Sequence, residues 1–363
     1  MKQLFVAATR QNDGKTMVSL GLFNEFRKRF KKTAYMKPVG QQYLLVDGKK
    51  IDKDAVLIYK TYRLKDAISD MSPIAIPRGF TEEFIHSGTN PQVLQDQMMA
   101  AQARLIRNKQ FVLYEGTGHA GVGSVFNLSN ATVARVLGTK VVLVALGGIG
   151  SFIDEIMLNK AQFDLMGVEV IGVIMNKVRP DKYDKVKSLV EIALAEKGIR
   201  LLGAIPMEQS LSWPPVRELV DEVDATLLGG ESGLSNLVQK FIIGDQIPHD
   251  AIDHFSKNTL LIVPGNREEV ILTALLGHTM DPNRADTVSA IIFTNGIRPH
   301  RKILNLLKRA EIPLLLVEED SFSVASKINH MILKMRAEDA EKIATAQHLI
   351  EKYVDVDVLC HLL

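Results

Sequence analysis

The chain has 363 residues, of which 46% are hydrophobic and 24% are charged, and its 44 Lys and Arg residues nearly balance its 42 Asp and Glu residues. This length allows about two domains, while the net charge of +2 gives no sign of a nucleic-acid or membrane partner. A lone cysteine, Cys360, excludes a disulfide framework within the chain, so we expect a cytoplasmic protein.

The first predicted elements are a strand at residues 3–8, a loop, and a helix that opens with Gly14-Lys15-Thr16. A loop that leads into a helix N-terminus presents backbone amides to a phosphate group. Lys15 is placed to reach the β- and γ-phosphates, and the Thr16 hydroxyl to bind Mg²⁺. Thr9 stands where the regular P-loop motif has its first glycine, so the loop is a variant. We expect Asp13 to point away from the phosphate.

Apolar strands and helices then alternate through the first half of the chain. Strands are predicted at 33–40, 111–116, 140–146 and 168–176, and helices at 91–108, 152–166 and 182–197. This alternation predicts an α/β fold with a doubly wound, mostly parallel sheet. Ligands of such sheets bind beyond the carboxyl ends of the strands.

Charged residues occur close to several of these strand ends. Lys37 follows the second strand, Asp52 and Asp54 come soon after it, and Glu115 precedes the glycine-rich stretch GTGHAGVG. Taken singly, each is typical of a surface charge or a solvated turn. Mg²⁺ prefers one or two carboxylates together with phosphate and water, so their shared place at one sheet edge favours a metal-nucleotide site.

These motifs resemble the dethiobiotin synthetase-like branch of the P-loop proteins, which also includes the cobyrinic acid a,c-diamide synthases. The resemblance covers residues 1–228 and rests on Gly14-Lys15-Thr16, Lys37-Pro38-Val39, Glu115-Gly116 and the segments GVIMNKV and GAIPM, in that order. It implies an ATP site formed by Asn12, Gly14, Lys15, Thr16, Met17, Asn176, Pro206 and Met207. In that site the resemblance implies that Asn176 contacts the adenine and that Pro206 and Met207 line the base. It also implies that Thr16, Asp54 and Glu115 hold Mg²⁺, and that Lys15 and Lys37 are catalytic.

The second half contains a smaller α/β pattern after a Gly- and Ser-rich segment. Two strands are each followed by a glycine turn and a helix, and the turns are Gly265-Asn266-Arg267 and Thr294-Asn295-Gly296. Simple strand-to-helix turns are one interpretation of both. The pattern also resembles the DRTGG domain of long phosphate acetyltransferases, over residues 229–363. That resemblance implies a ligand site at Gly265, Asn266, Arg267, Thr294, Asn295 and Gly296.

Together the resemblances imply a Mg-ATP-binding protein with an appended sensing domain, acting as an ATPase or an ATP-dependent ligase. One alternative is a non-catalytic nucleotide-binding module that regulates a partner enzyme, like the N-terminal part of a long phosphate acetyltransferase with no room for its catalytic domain. Another alternative is a dethiobiotin synthetase or a diamide synthase-like enzyme that lacks an amidotransferase domain. An amidotransferase domain needs a cysteine nucleophile, and Cys360, near the end of the given sequence, does not suit that role. The expected partners are a nucleotide, a small-molecule acceptor or effector, and a second copy of the chain.

Overall fold

The chain is seen in a computed structural model that describes residues 1–252, 254–255, 258–280, 288–331 and 335–363. It divides into two compact units. The first comprises Met1–Glu208 and Met335–Leu363, and the second comprises Gln209–Lys334. Each unit contains a mostly parallel sheet with helices, so the predicted α/β fold is confirmed.

The first unit is built around a six-stranded parallel sheet. The strands of this unit, six of which form the central sheet, are β1 (Lys2–Ala8), β2 (Thr33–Met36), β3 (Val39–Gly40), β4 (Tyr43–Val46), β5 (Lys49–Asp52), β6 (Ile74–Ala75), β7 (Phe111–Glu115), β8 (Lys140–Leu146), β9 (Val170–Val178) and β10 (Leu201–Pro206). The central sheet has the order β10-β9-β8-β1-β7-β2, while β3 pairs with β6 and β4 with β5. Because β1 lies between β7 and β8, the loop that follows it leaves from the interior of the sheet's carboxyl edge.

Helices connect the strands of this unit. They are α1 (Lys15–Arg29), α2 (Lys53–Tyr62), α3 (Ile68–Met71), α4 (Phe80–Ser87), α5 (Gln92–Leu105), α6 (Asn130–Leu137), α7 (Gly150–Leu165) and α8 (Tyr183–Ala195). The helices predicted at 91–108, 152–166 and 182–197 correspond to α5, α7 and α8. Across the described residues, no helix has both the length and the apolarity that a bilayer span requires.

The second unit has a five-stranded sheet of its own. Its elements are α9 (Val216–Glu222), β11 (Thr226–Gly229), β12 (Lys240–Ile243), α10 (Pro248–Ile252), β13 (Thr259–Pro264), α11 (Glu268–Met280), β14 (Val288–Thr294), α12 (Arg301–Arg309), β15 (Leu314–Leu316) and α13 (Ser321–Asn329). The order is β11-β15-β14-β13-β12, and β11 is antiparallel to β15. Successive residues of β13 enter two separate apolar clusters, because side chains alternate between the faces of a strand. Both faces of this sheet are therefore covered.

The last segment of the chain packs on the first unit. It forms α14 (Ala340–Tyr353) and α15 (Val356–Leu362), and Cys360 lies in α15. α14 packs against α1 so closely that a Cβ on Gly21 would lie 2.3 Å from Ile350 Cγ1. Val354 then forms an antiparallel bridge with Gly203 of β10. The first unit is thus built from two separate stretches of sequence.

This division differs from the boundary predicted between residues 228 and 229. Val216 and Leu219 of α9 pack in the same apolar cluster as β13, so the second unit begins earlier than predicted. The segment 341–359, which the sequence resemblance assigns to the DRTGG-like domain, buries its apolar residues in the first unit. The domain limits 1–228 and 229–363 therefore remain a prediction about sequence families, whereas the packing divides the chain as described.

Candidate functional site

The Gly14-Lys15-Thr16 motif lies at the start of α1, directly after the central strand β1. Gly14 has a φ of 88°, a left-handed conformation that favours glycine. A Cβ at this position would also lie 2.1 Å from Asn176 Nδ2. Backbone amides at a helix N-terminus bind phosphate well, so the structure places the motif where a phosphate-binding loop requires it.

Residues of β9 hold this loop in place. The buried Asn176 side chain donates from Nδ2 to the backbone oxygen of Asp13 at 2.8 Å, and Lys177 Nζ donates to the backbone oxygen of Asn12 at 3.1 Å. The Asn176 side chain therefore holds the backbone of the loop. Its contact with an adenine base, which the sequence resemblance implied, remains a prediction.

The two residues predicted to line the base lie at the end of β10. Pro206 pairs with Val178 of β9, and the backbone N–H of Met207 donates to the Val178 oxygen at 2.7 Å. Met207 is 41% exposed. This segment is thus anchored beside the strand that carries Asn176, which leaves the Met207 side chain accessible to a ligand.

A buried cluster of charges lies beyond the ends of β2 and β7. Lys37 Nζ donates to Asp54 Oδ2 at 2.8 Å, to Glu115 Oε1 at 3.0 Å and to the Gly116 oxygen at 2.9 Å. A lysine ammonium has three donors, so these bonds use them all. Lys37 is only 3% exposed and Glu115 is fully buried. The lysine is therefore a member of a buried network rather than a surface lysine.

The charge states in this cluster follow from burial and from neighbouring carboxylates. Burial opposes the charge of Lys37, but Asp54, Glu115 and Asp52 outweigh it and raise its pKa above the ordinary value. Tyr35 donates its hydroxyl to Glu115 Oε2 at 2.9 Å. Burial, followed by the charge of Glu115, raises the pKa of Tyr35 well above 10.0. Three buried carboxylates thus act on one buried ammonium, and their oxygens are of the kind that a divalent cation binds.

Thr16 connects the phosphate-binding motif to this cluster. Its Oγ1 donates to Glu115 Oε1 at 3.0 Å, so Thr16, Asp54 and Glu115 meet through the Lys37 network. Asp52 instead caps α2, where its carboxylate accepts from the Asp54 amide at 2.9 Å. Oxygen donors of this kind suit Mg²⁺, which completes its shell with phosphate and water. Among the described residues, no three His, Cys, Asp or Glu side chains form a metal site by themselves.

The glycine-rich loop after β7 is held by a buried asparagine of α6. Asn130 accepts from the Thr117 amide at 3.0 Å and donates to the Thr117 and His119 oxygens at 2.7 Å each. A Cβ on Gly116 would lie 2.6 Å from Asn130 Oδ1. The close approach explains the glycine that follows Glu115, and it fixes the backbone oxygen that Lys37 binds.

We expect Asn130→Ala to lower the free energy of unfolding by about 1–3 kcal/mol, because it removes the three hydrogen bonds that the buried Asn130 side chain makes to the loop. Asn305→Ala, which removes an exposed side chain from α12, should change stability by less than about 0.5 kcal/mol. Chemical denaturation of both variants checks the difference. Equal stability of the two variants would contradict the role given to Asn130.

The two turns predicted in the second unit lie next to each other. Pro264 of β13 pairs with Thr294 of β14, and the Gly265 amide donates to the Ile297 oxygen at 3.1 Å. A Cβ on Gly265 would lie 2.2 Å from that oxygen. The close contact explains this glycine structurally, so a ligand role for it remains a prediction.

The other residues of these turns differ in how far they are available to a ligand. Asn266 is exposed, whereas Arg267 Nε is bonded to Glu269 Oε1 at 2.6 Å. Thr294 is buried and bonded to Ser321. Asn295 and Gly296 have φ values of 57° and 64°, which makes them a left-handed turn.

Sequence reasoning missed Tyr35 and Asn130 as members of the first site. Tyr35 lies two residues before Lys37, and alternation along a strand places residues two apart on the same face. That spacing is a signal that was available. Asn130 is separated from the glycine-rich loop by a turn, and nothing in its local sequence identifies its partners.

Family models match most of the chain. The AAA domain model (AAA_26) matches residues 2–215, and the DRTGG domain model matches residues 218–331. Phosphate acetyltransferase from Synechocystis sp. is 26% identical over 367 residues, which cover 99% of this chain and 51% of the enzyme. ATP-dependent dethiobiotin synthetase BioD from Clostridium kluyveri is 25% identical over 191 residues, covering 50% of this chain and 77% of the synthetase. The chain spans about half the length of the phosphate acetyltransferases it matches.

Solved structures that match part of this chain include a MinC:MinD cell division protein complex from Aquifex aeolicus. That chain is 13% identical, with a TM-score of 0.37, and the match covers 58% of this chain and 84% of that chain. The CBS and DRTGG domains of a Clostridium perfringens pyrophosphatase, solved with diadenosine tetraphosphate, are 16% identical with a TM-score of 0.27. That match covers 39% of this chain and 67% of the other.

Proposed function

Because the chain belongs to the AAA domain family (AAA_26) of P-loop proteins and carries a DRTGG domain, we propose that it binds Mg-ATP at the carboxyl edge of the first sheet and transfers the γ-phosphoryl group to a carboxylate or carbamate. The observation that carries this proposal is the hydrogen bond from Thr16 Oγ1 to Glu115 Oε1. It joins the phosphate-binding motif to the buried charged cluster. Phosphoryl transfer depends mainly on such positioning and on charge neutralisation.

The first unit supplies separate groups for each part of the nucleotide. The amides at the start of α1 and the Lys15 ammonium would bind the phosphates, and Asn12 and Met17 flank the motif. Thr16, Asp54 and Glu115 would hold Mg²⁺, which neutralises charge on the transferring phosphoryl group. Asn176, Pro206 and Met207 would line the base.

Lys37 is the residue assigned to the acceptor. All three of its N–H groups donate to protein oxygens. Contact with an acceptor therefore requires that one of these hydrogen bonds breaks and that a bond to the acceptor replaces it. The carboxylate-bound ammonium would then orient the acceptor and stabilise the charge that develops on it. A positioning role of this kind lowers the barrier without a proton transfer by Lys37.

The three hydrogen bonds of Lys37 also favour a second candidate function. If the bonds of Lys37 persist in the nucleotide complex, the protein binds ATP without transferring its phosphate. The chain would then act as a regulatory nucleotide-binding module on a partner enzyme. Its likeness to half of each phosphate acetyltransferase is consistent with such a role, and the turns of β13 and β14 would sense a small-molecule effector.

Lys15→Ala is expected to weaken Mg-ATP binding about 100-fold, since bonds between charged groups contribute roughly 1.5–3 kcal/mol. Lys31→Ala, which alters an exposed lysine just after α1, should bind like the unaltered chain. Isothermal titration of the three proteins measures the difference. Unchanged affinity in Lys15→Ala would contradict the assigned site.

ATP turnover then separates the candidate functions. We would measure phosphate release alone and with carboxylate or amine acceptors, including 7,8-diaminopelargonate with bicarbonate. Stimulation by that pair supports the synthetase reaction, and its absence argues against it. Tight Mg-ATP binding with no turnover under any condition favours the regulatory module, and absence of ATP binding contradicts both.

A further inference from the structure

A carboxylate lies inside the phosphate-binding loop. Asp13 is 1% exposed, and its Oδ2 accepts from Thr9 Oγ1 at 2.8 Å and from the Arg10 amide at 2.7 Å. The backbone oxygen of Asp13 accepts from Asn176 at 2.8 Å. Both the side chain and the backbone of this residue are therefore fixed, and one loop amide is used on the protein's own carboxylate.

The second carboxylate oxygen of Asp13 has no such bond. Asp13 Oδ1 is buried and lacks a hydrogen-bond partner within the described part of the chain. Burial raises the pKa of Asp13, against the bonds from Thr9 and Arg10 and the charges of Arg10 and Lys15. A neutral asparagine could accept the same two bonds and avoid the cost of a buried charged oxygen.

The charge of Asp13 acts on the groups that would bind phosphate. Asp13 immediately precedes Gly14-Lys15-Thr16 in the chain, and its electrostatic interaction with Lys15 opposes the attraction of that lysine for an anion. The Arg10 guanidinium pairs with Glu155 on α7. Asp13 itself is buried, and a charge withdrawn from water interacts more strongly with its near neighbours, so this anion beside the motif repels another one.

We propose that Asp13 is an affinity-setting residue whose charge weakens the binding of nucleotide phosphates at this loop. This inference rests on the proposed function, because it takes the loop to be the nucleotide site. The penalty grows with the charge of the ligand. It is largest for ATP, smaller for ADP and absent for adenosine, which carries no phosphate.

Asp13→Asn removes the charge while it keeps the shape of the side chain and an oxygen that can accept from Thr9 and Arg10. We expect this variant to bind Mg-ATP about 10-fold more tightly than the unaltered chain, with a smaller gain for the less charged Mg-ADP and no gain for adenosine. Asp154→Asn, which neutralises an exposed carboxylate on α7, should leave all three affinities unchanged. Asp13→Ser tests the same loss of charge if the asparagine variant does not fold.

The outcomes distinguish this inference from the proposed function. If the unaltered chain binds Mg-ATP and the neutral variants bind it equally well or less tightly, Asp13 does not weaken phosphate binding and only the inference fails. Parallel gains for ATP and adenosine would mean that the loop changed shape, which also overturns it. Absence of ATP binding by every variant would contradict the proposed function and the inference together.

Discussion

Lys37→Met is expected to lower the free energy of unfolding by about 3–5 kcal/mol, because loss of one member of a buried ion pair leaves its partners uncompensated. The ammonium bonds Asp54 and Glu115 at 2.8 and 3.0 Å, and both carboxylates are buried. The thioether chain of methionine fills a similar volume but balances no charge. Urea unfolding of the variant and the unaltered chain measures the loss.

Magnesium should restore part of this stability. The two carboxylates released by Lys37→Met are those assigned to Mg²⁺, and a ligand that binds the folded state stabilises it. Lys53→Met, an exposed substitution at the start of α2, should have almost no effect with or without magnesium. A loss below about 1 kcal/mol would contradict the charge-balancing role of Lys37. A full loss that magnesium does not reduce would contradict the metal assignment.

Gly21→Ala is expected to destabilise the first unit by about 1–3 kcal/mol, the usual range for overpacking. The added Cβ would lie 2.3 Å from Ile350 Cγ1 and 3.0 Å from the Ala346 oxygen. Alanine within a helix is otherwise about 1 kcal/mol better than glycine, so a net loss would identify the contact between α1 and α14 as its cause.

A second substitution tests that contact directly. Ile350→Ala removes the side chain that the new Cβ would meet, so the double variant should lose less stability than the sum of the two single variants. Gly150→Ala is the matched control, because nothing lies within 4 Å of a Cβ there. Additive losses, or a Gly21→Ala variant as stable as the control, would contradict close packing of the two helices.

Many strands of the first unit can be predicted from the sequence, and the reason is physical. Strands buried on both faces are continuous apolar runs, and β1, β7 and β8 all have this form. Their carboxyl ends necessarily share one edge of a parallel sheet. That rule is sufficient to predict from the sequence alone that Lys37 and Glu115 lie near Thr16.

Partners that are distant in sequence could not be predicted in the same way. The amphipathic pattern of 340–353 shows that one face is buried but does not identify the surface that buries it. Gly21 was the available hint, since glycine in a helix interior has a cost that close packing can explain. The partners of Asp13 could not be predicted either. The sequence shows that the loop contains an acidic residue, but it does not show which donors bind the carboxylate.

The two-part construction of the first unit also sets an order of events during synthesis. The chain leaves this unit at Glu208 and returns to it at Met335, so the ribosome makes the whole second unit before α14 and α15 emerge. The second unit is continuous in sequence and is able to fold at that stage, since domains generally fold as units during synthesis. The apolar face of α1 around Gly21 stays uncovered until α14 has been made. The first unit is therefore completed only after the whole second unit has been synthesised.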